Sequence, residues 1–156
     1  MGIELTANER WELLEENMVM RLAMVDPSGR PHIVPIWYLS HHESGNIYFS
    51  TPEDTRKARD IAETPKVSLT VDEGVYYFEL QAVVVEGEAF IVNDDKERAM
   101  VEEGWCQKYF EQPDRPDFLD DLYRRRRWEW YRIEPVRWLS WDNSKIDLDQ
   151  LRDERE

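Results

Sequence analysis

A chain of 156 residues fits one domain with a sizeable core, and 41% hydrophobic residues with seven Trp and seven Tyr point to a folded globule. Its 34 acidic against 20 basic residues give a formal charge of −14, which repels phosphate over most of the surface and argues against nucleic acid or an anionic membrane as partner. Cys106 is alone, so no intrachain disulfide can form. With no recognisable signal peptide and no long apolar run, a cytoplasmic protein that does not cross a membrane is expected. Lysine occurs only at Lys57, Lys66, Lys96, Lys108 and Lys145, and a surplus of acids with so few lysines suggests a halophilic chain, kept soluble where salt screens its self-repulsion.

Residues 6–16 read as a helix, with Thr6 and Glu9 as a capping box and Trp11, Leu13 and Leu14 as an apolar stripe that packs on the rest of the fold. A short strand at 21–25 follows, closed by the turn Asp26, Pro27, Ser28, Gly29. Residues 31–39 form the second strand. Pro35 inside it removes a ladder donor, which puts the strand at an edge or a bulge and frees its backbone to face something other than a neighbouring strand. His32 is lone on this strand and His41 and His42 fall in the next turn. Without Cys-x-x-Cys or helical His-x-x-x-His spacing, no metal site is expected.

The strand at 47–49 leads into Ser50 and Thr51, then Pro52, a helix cap at Asp54 or Thr55, and then Arg56, Lys57 and Arg59. A helix N-terminus carries unpaired N–H groups and partial positive charge, so its first turn normally prefers acids. Two readings follow. Either Glu53, Asp54, Asp60 and Glu63 pair with these bases on an ordinary solvated helix, or an anion such as phosphate sits at the helix end, held by amides, the two hydroxyls and the cations.

A buried strand at 65–72 comes next, then a long β-branched strand at 77–92 with a bulge or bend at Gly87. Long bent strands favour a barrel over a sandwich. Asn93, Asp94 and Asp95 are cap candidates for a helix running to 110; residues 111–116 break it. A helix over 117–127 ends in Arg124 to Arg127, cations that complement the macrodipole and can pair with acids just upstream, a reading preferred to a second anion site. Strand character resumes over 128–141 around Pro135, and the charged residues from 146 fray.

The runs GRPHIVPIWY, GNIYFSTPEDTRKARDIAETPKVSLTVD and VVVEGEAFIV, roughly residues 18–92, resemble the pyridoxamine 5'-phosphate oxidase-like family of flavin- and deazaflavin-binding split β-barrels, with a weaker echo at 132–141. The resemblance implies a mainly β fold with flanking helices (α+β), a split β-barrel of the FMN-binding type. It would form one domain over 1–145, with a helical insertion at about 94–127 and a charged tail over 146–156. It also implies a homodimer with cofactor sites at the subunit interface. Ser50 and Thr51 match the pair that bonds the cofactor phosphate and ribityl chain, Arg56 and Lys57 match the Arg-Lys phosphate clamp, and Thr55 stands where serine is common. Main-chain groups matching Val34, Pro35, Ile36 and Trp37 run along the ring, and Trp141 or Trp138 lies near the cofactor, often that of the partner subunit. Asp60 stands where many relatives carry Asn, and Gln81 is one position from a flavin-contacting glutamine. The Arg-x-His signature for pyridoxamine phosphate is missing, since Trp138 and Leu139 follow Arg137.

These residues imply an FMN-dependent oxidoreductase acting on a small organic substrate other than pyridoxamine phosphate. F420 is the alternative cofactor, and a non-catalytic flavin- or haem-binding module is the alternative role. Ring chemistry needs no side-chain nucleophile, and no catalytic residue is assignable.

Overall fold

Seven antiparallel strands form a single curled sheet in the computed structural model, which describes residues 2–149. The elements are α1 (Ala7–Glu16), β1 (Val19–Val25), β2 (Pro31–Trp37), β3 (Leu39–His41), β4 (Asn46–Pro52), α2 (Arg56–Glu63), β5 (Lys66–Glu73), β6 (Gln81–Ile91), α3 (Asp95–Phe110), α4 (Asp117–Arg125) and β7 (Trp128–Asp142). Strand order is β2-β1-β5-β6-β7-β4-β3, and the sheet curls until β2 comes near β4, giving the half-barrel of the split-barrel class.

Alternation along the strands makes the core. Met20, Leu22 and Met24 of β1 point inward with Phe49, Leu69, Val71, Val83, Val85 and Ile133, and α1 plugs one end with Trp11, Leu13 and Leu14. The capping box of α1 forms as the spacing requires: Glu9 N–H donates to Thr6 Oγ1 at 3.2 Å, and Thr6 N–H to the Glu9 carboxylate at 2.6 Å. A second cluster, including Leu39, Tyr48, Val101, Trp105 and Trp130, packs α3 on the β3–β4 hairpin.

Two expected strands are shorter than the sequence suggests. The strand read over 31–39 stops at Trp37, because Tyr38 turns its ring into the core and donates its hydroxyl to the Leu14 carbonyl at 2.6 Å; β3 then starts at Leu39. The strand read from 77 begins only at Gln81. Residues Tyr77–Glu79 form a 3-10 turn, held by Asn143 Nδ2 on the Tyr77 carbonyl at 2.7 Å and Asn143 N–H on the Leu80 carbonyl at 2.9 Å. Of the bulge or bend expected at Gly87, the structure shows a bulge: β6–β7 register slips between Glu86 and Gly87, opposite Pro135. Pro35 lies on an edge strand, since β2 pairs with β1 alone. The expected fraying of the tail from residue 150 onward lies outside the described residues.

Candidate functional site

The end of β4 and the start of α2 form a turn whose hydroxyls are committed internally. Thr55 is the N-cap: its Oγ1 accepts the Ala58 N–H at 3.3 Å and donates to the Pro52 carbonyl at 2.9 Å. Thr51 Oγ1 lies 3.2 Å from Thr55 Oγ1, and since the Thr55 proton is engaged, Thr51 is the donor there. Thr51 is 1% exposed. Ser50 is half-buried and donates to the Glu129 carbonyl at 3.1 Å, keeping its lone pairs. The first-turn amides of Arg56 and Lys57 precede any intrahelical acceptor.

Adjacent cations of identical charge take opposite roles. Arg56 turns toward the β1–β2 hairpin and pairs with Asp26 at 3.2 Å and with Asp60 at 3.4 Å. Asp60 is buried, and its Oδ2 also lies 2.6 Å from His32 Nε2. The histidine read as lone is therefore tied to α2, and the extra carboxylate of Asp60 is absorbed in this network. Lys57, by contrast, has no carboxylate partner among the described residues. Partial burial, and secondarily the Arg126 cation, hold its ammonium below the usual lysine range.

That second cation comes from the arginine run after α4. Arg126 pairs with Asp54 at 2.5 Å, and Arg127 with Glu53 at 3.3 Å and Glu129 at 3.2 Å; the Glu53 N–H also donates to the Arg127 carbonyl at 3.0 Å. The expectation that these two arginines serve the α4 C-terminus and its upstream acids is corrected: only Arg124 and Arg125 sit in its last turn, and Arg126 and Arg127 face the α2 turn. Sequence reading missed them because the contact spans some seventy residues, roughly the chain from Asp54 to Arg126. The available signal was the rarity of a four-arginine run in so acidic a chain.

Val34 and Ile36 are half-buried against the core, while Pro35 and Trp37 face outward on the strand edge. Trp37 stacks on Tyr109 at 4.2 Å and 7° and leans on Trp105. Beside it a cavity of about 260 Å³ opens, floored by Ile36, Trp37 and Ser50. Its walls come from Trp105 of α3, from Leu119, Leu122 and Tyr123 of α4, and from Trp128. Ser50 thus belongs both to the helix turn and to the cavity. The structure does not bring Trp141 here within one chain. Ser50 pairs with Trp130, and Trp141 pairs with Ala82, on the order of 35 Å further along β7 at about 3.3 Å per residue. Trp138 is likewise remote, edge-on to Trp11 at 5.3 Å.

Residues 7–142 match a family model described as pyridoxamine 5'-phosphate oxidase. No curated protein matches the chain. Among solved structures it is similar to a conserved hypothetical protein from Mycobacterium tuberculosis, with 25% identity, TM-score 0.78, and coverage of 90% of this chain and 87% of that one. It is also similar to the FAD binding protein from Mycobacterium smegmatis, with 20% identity, TM-score 0.65, and coverage of 87% and 95%. A structure named F420 reductase gives 21% identity, TM-score 0.59, and coverage of 82% and 94%.

Proposed function

Since the chain belongs to the pyridoxamine 5'-phosphate oxidase family, we propose that it is an oxidoreductase using a phosphate-bearing flavin, FMN in the first instance and the deazaflavin F420 in the second. The observation that carries this is Lys57: a half-buried cation without a carboxylate, beside a second cation and two free amides, in a molecule of charge −14. Like charges gathered in this way favour an anion between them. The names FAD binding protein and F420 reductase among similar structures support a tricyclic redox ring.

In this reading Lys57 and Arg126 grip the phosphate, with Ser50 lending its lone-pair oxygen as a neighbour to the ribityl hydroxyls. Thr51, Thr55 and Arg56 hold the turn in shape. The outer edge of β2, which no strand covers, offers the backbone of Val34, Pro35, Ile36 and Trp37 to the ring. The bound group supplies hydride or electron transfer, while the protein supplies orientation and water exclusion. Pyridoxamine phosphate is left out of this reading because the Arg-x-His signature for it is missing: Trp138 and Leu139 follow Arg137. We further propose a homodimer, in which Trp141 of one copy could approach the site of the other.

Titrating purified protein with FMN and with F420, following the cofactor's fluorescence and visible spectrum, tests the reading. Micromolar quenching by one of them is expected. A colourless protein that perturbs neither spectrum refutes it.

A further inference from the structure

The cavity beside Ser50 has a chemical character that the phosphate grip does not explain. None of its lining side chains carries a carboxylate, amide or imidazole; they are aliphatic, indole, one hydroxymethyl and one phenol. The polar groups present are one acceptor and two donors: the Ser50 oxygen, the Tyr123 hydroxyl and the Trp128 indole N–H. Ser50 has already given its proton to the Glu129 carbonyl. The Tyr123 hydroxyl approaches Ser50, and in the wall behind it Trp128 Nε1 is buried with no acceptor among the described residues. Leaving a buried donor unmatched disfavours the structure by about 1–3 kcal/mol.

Tyr123 is also held unusually firmly for a residue on a nine-residue helix. Trp128 stacks on one side at 4.4 Å and 16°, and the Arg115 guanidinium sits 3.8 Å over the ring. Arg115 is anchored in turn by Glu102 and by Asp120 at 3.6 Å. Burial raises the phenol's pKa, so the hydroxyl keeps its proton at neutral pH.

We propose that this cavity is a subsite for a planar, uncharged ring bearing a carbonyl-type acceptor, with the Tyr123 hydroxyl as the donor to that acceptor. Size agrees: about 260 Å³ holds about nine water-sized groups at about 30 Å³ each, room for one or two fused rings. Charge agrees as well, since no cation lines the cavity to offset the desolvation of an anion. The floor shared with Ile36, Trp37 and Ser50 puts such a ring beside the strand assigned to the cofactor. In that sense the inference rests on the proposed function and names the class of its substrate.

The test uses a matched pair, 1-indanone and indane, titrated against intrinsic tryptophan fluorescence of the full chain. Trp37, Trp105 and Trp128 all border the cavity. Indanone is expected to bind about tenfold more tightly than indane, the equivalent of one hydrogen bond to a neutral partner. In Tyr123→Phe the ketone preference disappears while indane binding stays. In Leu122→Trp, which fills the space, both ligands lose affinity. The inference is overturned if neither ligand binds, if Tyr123→Phe keeps the preference, or if Leu122→Trp leaves both affinities unchanged. FMN and F420 titrations of the unsubstituted protein, beside its indanone and indane titrations, separate the two claims. Cofactor binding without ketone preference overturns the subsite alone, and ketone preference without cofactor binding overturns the cofactor reading alone.

Discussion

Arg56 and Lys57 share a charge and a helical turn, yet their surroundings divide structure from function between them. Removing Arg56 leaves the buried Asp60 with His32 as its remaining partner and releases Asp26. Arg56→Ala is therefore expected to destabilise the fold by about 1–3 kcal/mol, read from urea unfolding. Lys57→Ala relieves a like-charge contact and should leave stability level or slightly raised, while weakening the phosphate-bearing cofactor by about 10- to 100-fold in fluorescence titration. Equal effects of the two substitutions on affinity would contradict this division. A third cation gives a pH signature. Lys108 is half-buried over the Tyr38 ring at 3.8 Å, and this burial lowers its pKa to about 8 from 10.5. Below pH 8 both folded and unfolded chains hold the proton and the folded chain bears an unfavourable buried charge. Between 8 and 10.5 the unfolded chain binds more protons, so stability rises with pH. The phenols of Tyr38 and Tyr109, whose pKa values burial raises, oppose this above about pH 10, where unfolded tyrosines ionise. Unfolding free energies measured from pH 7 to 9.5 should climb more steeply in the parent than in Lys108→Met, the difference between the two curves being the contribution of Lys108. At this scale the Thr6–Glu9 capping box was legible as a local pattern with one geometry, and the α2 cap was narrowed to Asp54 or Thr55, between which the bond from the Ala58 N–H to Thr55 decides. Arg126 and Tyr123 were not legible, because nothing in their own neighbourhood says which distant turn they face.

Element boundaries follow the same rule. Residues 75–78, Val-Tyr-Tyr-Phe, have the composition of a strand but lie exposed in a hairpin tip, because Gly74 at φ 90° reverses the chain before them and Asn143 fixes the turn after them. The second constraint is tertiary, which is why β-propensity alone misplaced the start of β6. Gly87 was legible, since a glycine within a β-branched run signals a bulge or close approach. A Cβ there would stand 2.6 Å from the Glu134 carbonyl oxygen, across the bulge that bends β6 against Pro135 of β7. Gly87→Ala must push the two strands apart, and the expected loss is about 1–3 kcal/mol by analogy with other overpacked sites. Thermal unfolding checks it; a melting temperature equal to the parent's would mean that the bulge yields freely.

Across the whole molecule, the curl of the sheet was legible in kind, because strands such as β6 and β7 are long, bent and antiparallel. What composition adds is a large electrostatic imbalance: 34 acids face 20 bases, and many of the bases are already paired, among them Arg132 with Glu97 at 2.8 Å and Lys145 with Glu9 at 2.7 Å. The unpaired remainder is overwhelmingly anionic and repels itself in the compact state more than in the unfolded one. Salt acts on both parts. It weakens the exposed pairs, each contributing about 0–1 kcal/mol, and it screens the repulsion, whose range shrinks from about 30 Å at 0.01 M to about 3 Å at 1 M. The second effect involves every surplus acid and the first only the paired ones, so the balance favours stabilisation. The melting temperature should rise steadily from 0.01 M to 1 M KCl, while the affinity of Lys57 and Arg126 for a phosphate falls over the same range. A melting temperature indifferent to salt would show that the pairs offset the repulsion, and the acidic composition would then reflect solubility rather than a need for salt in folding.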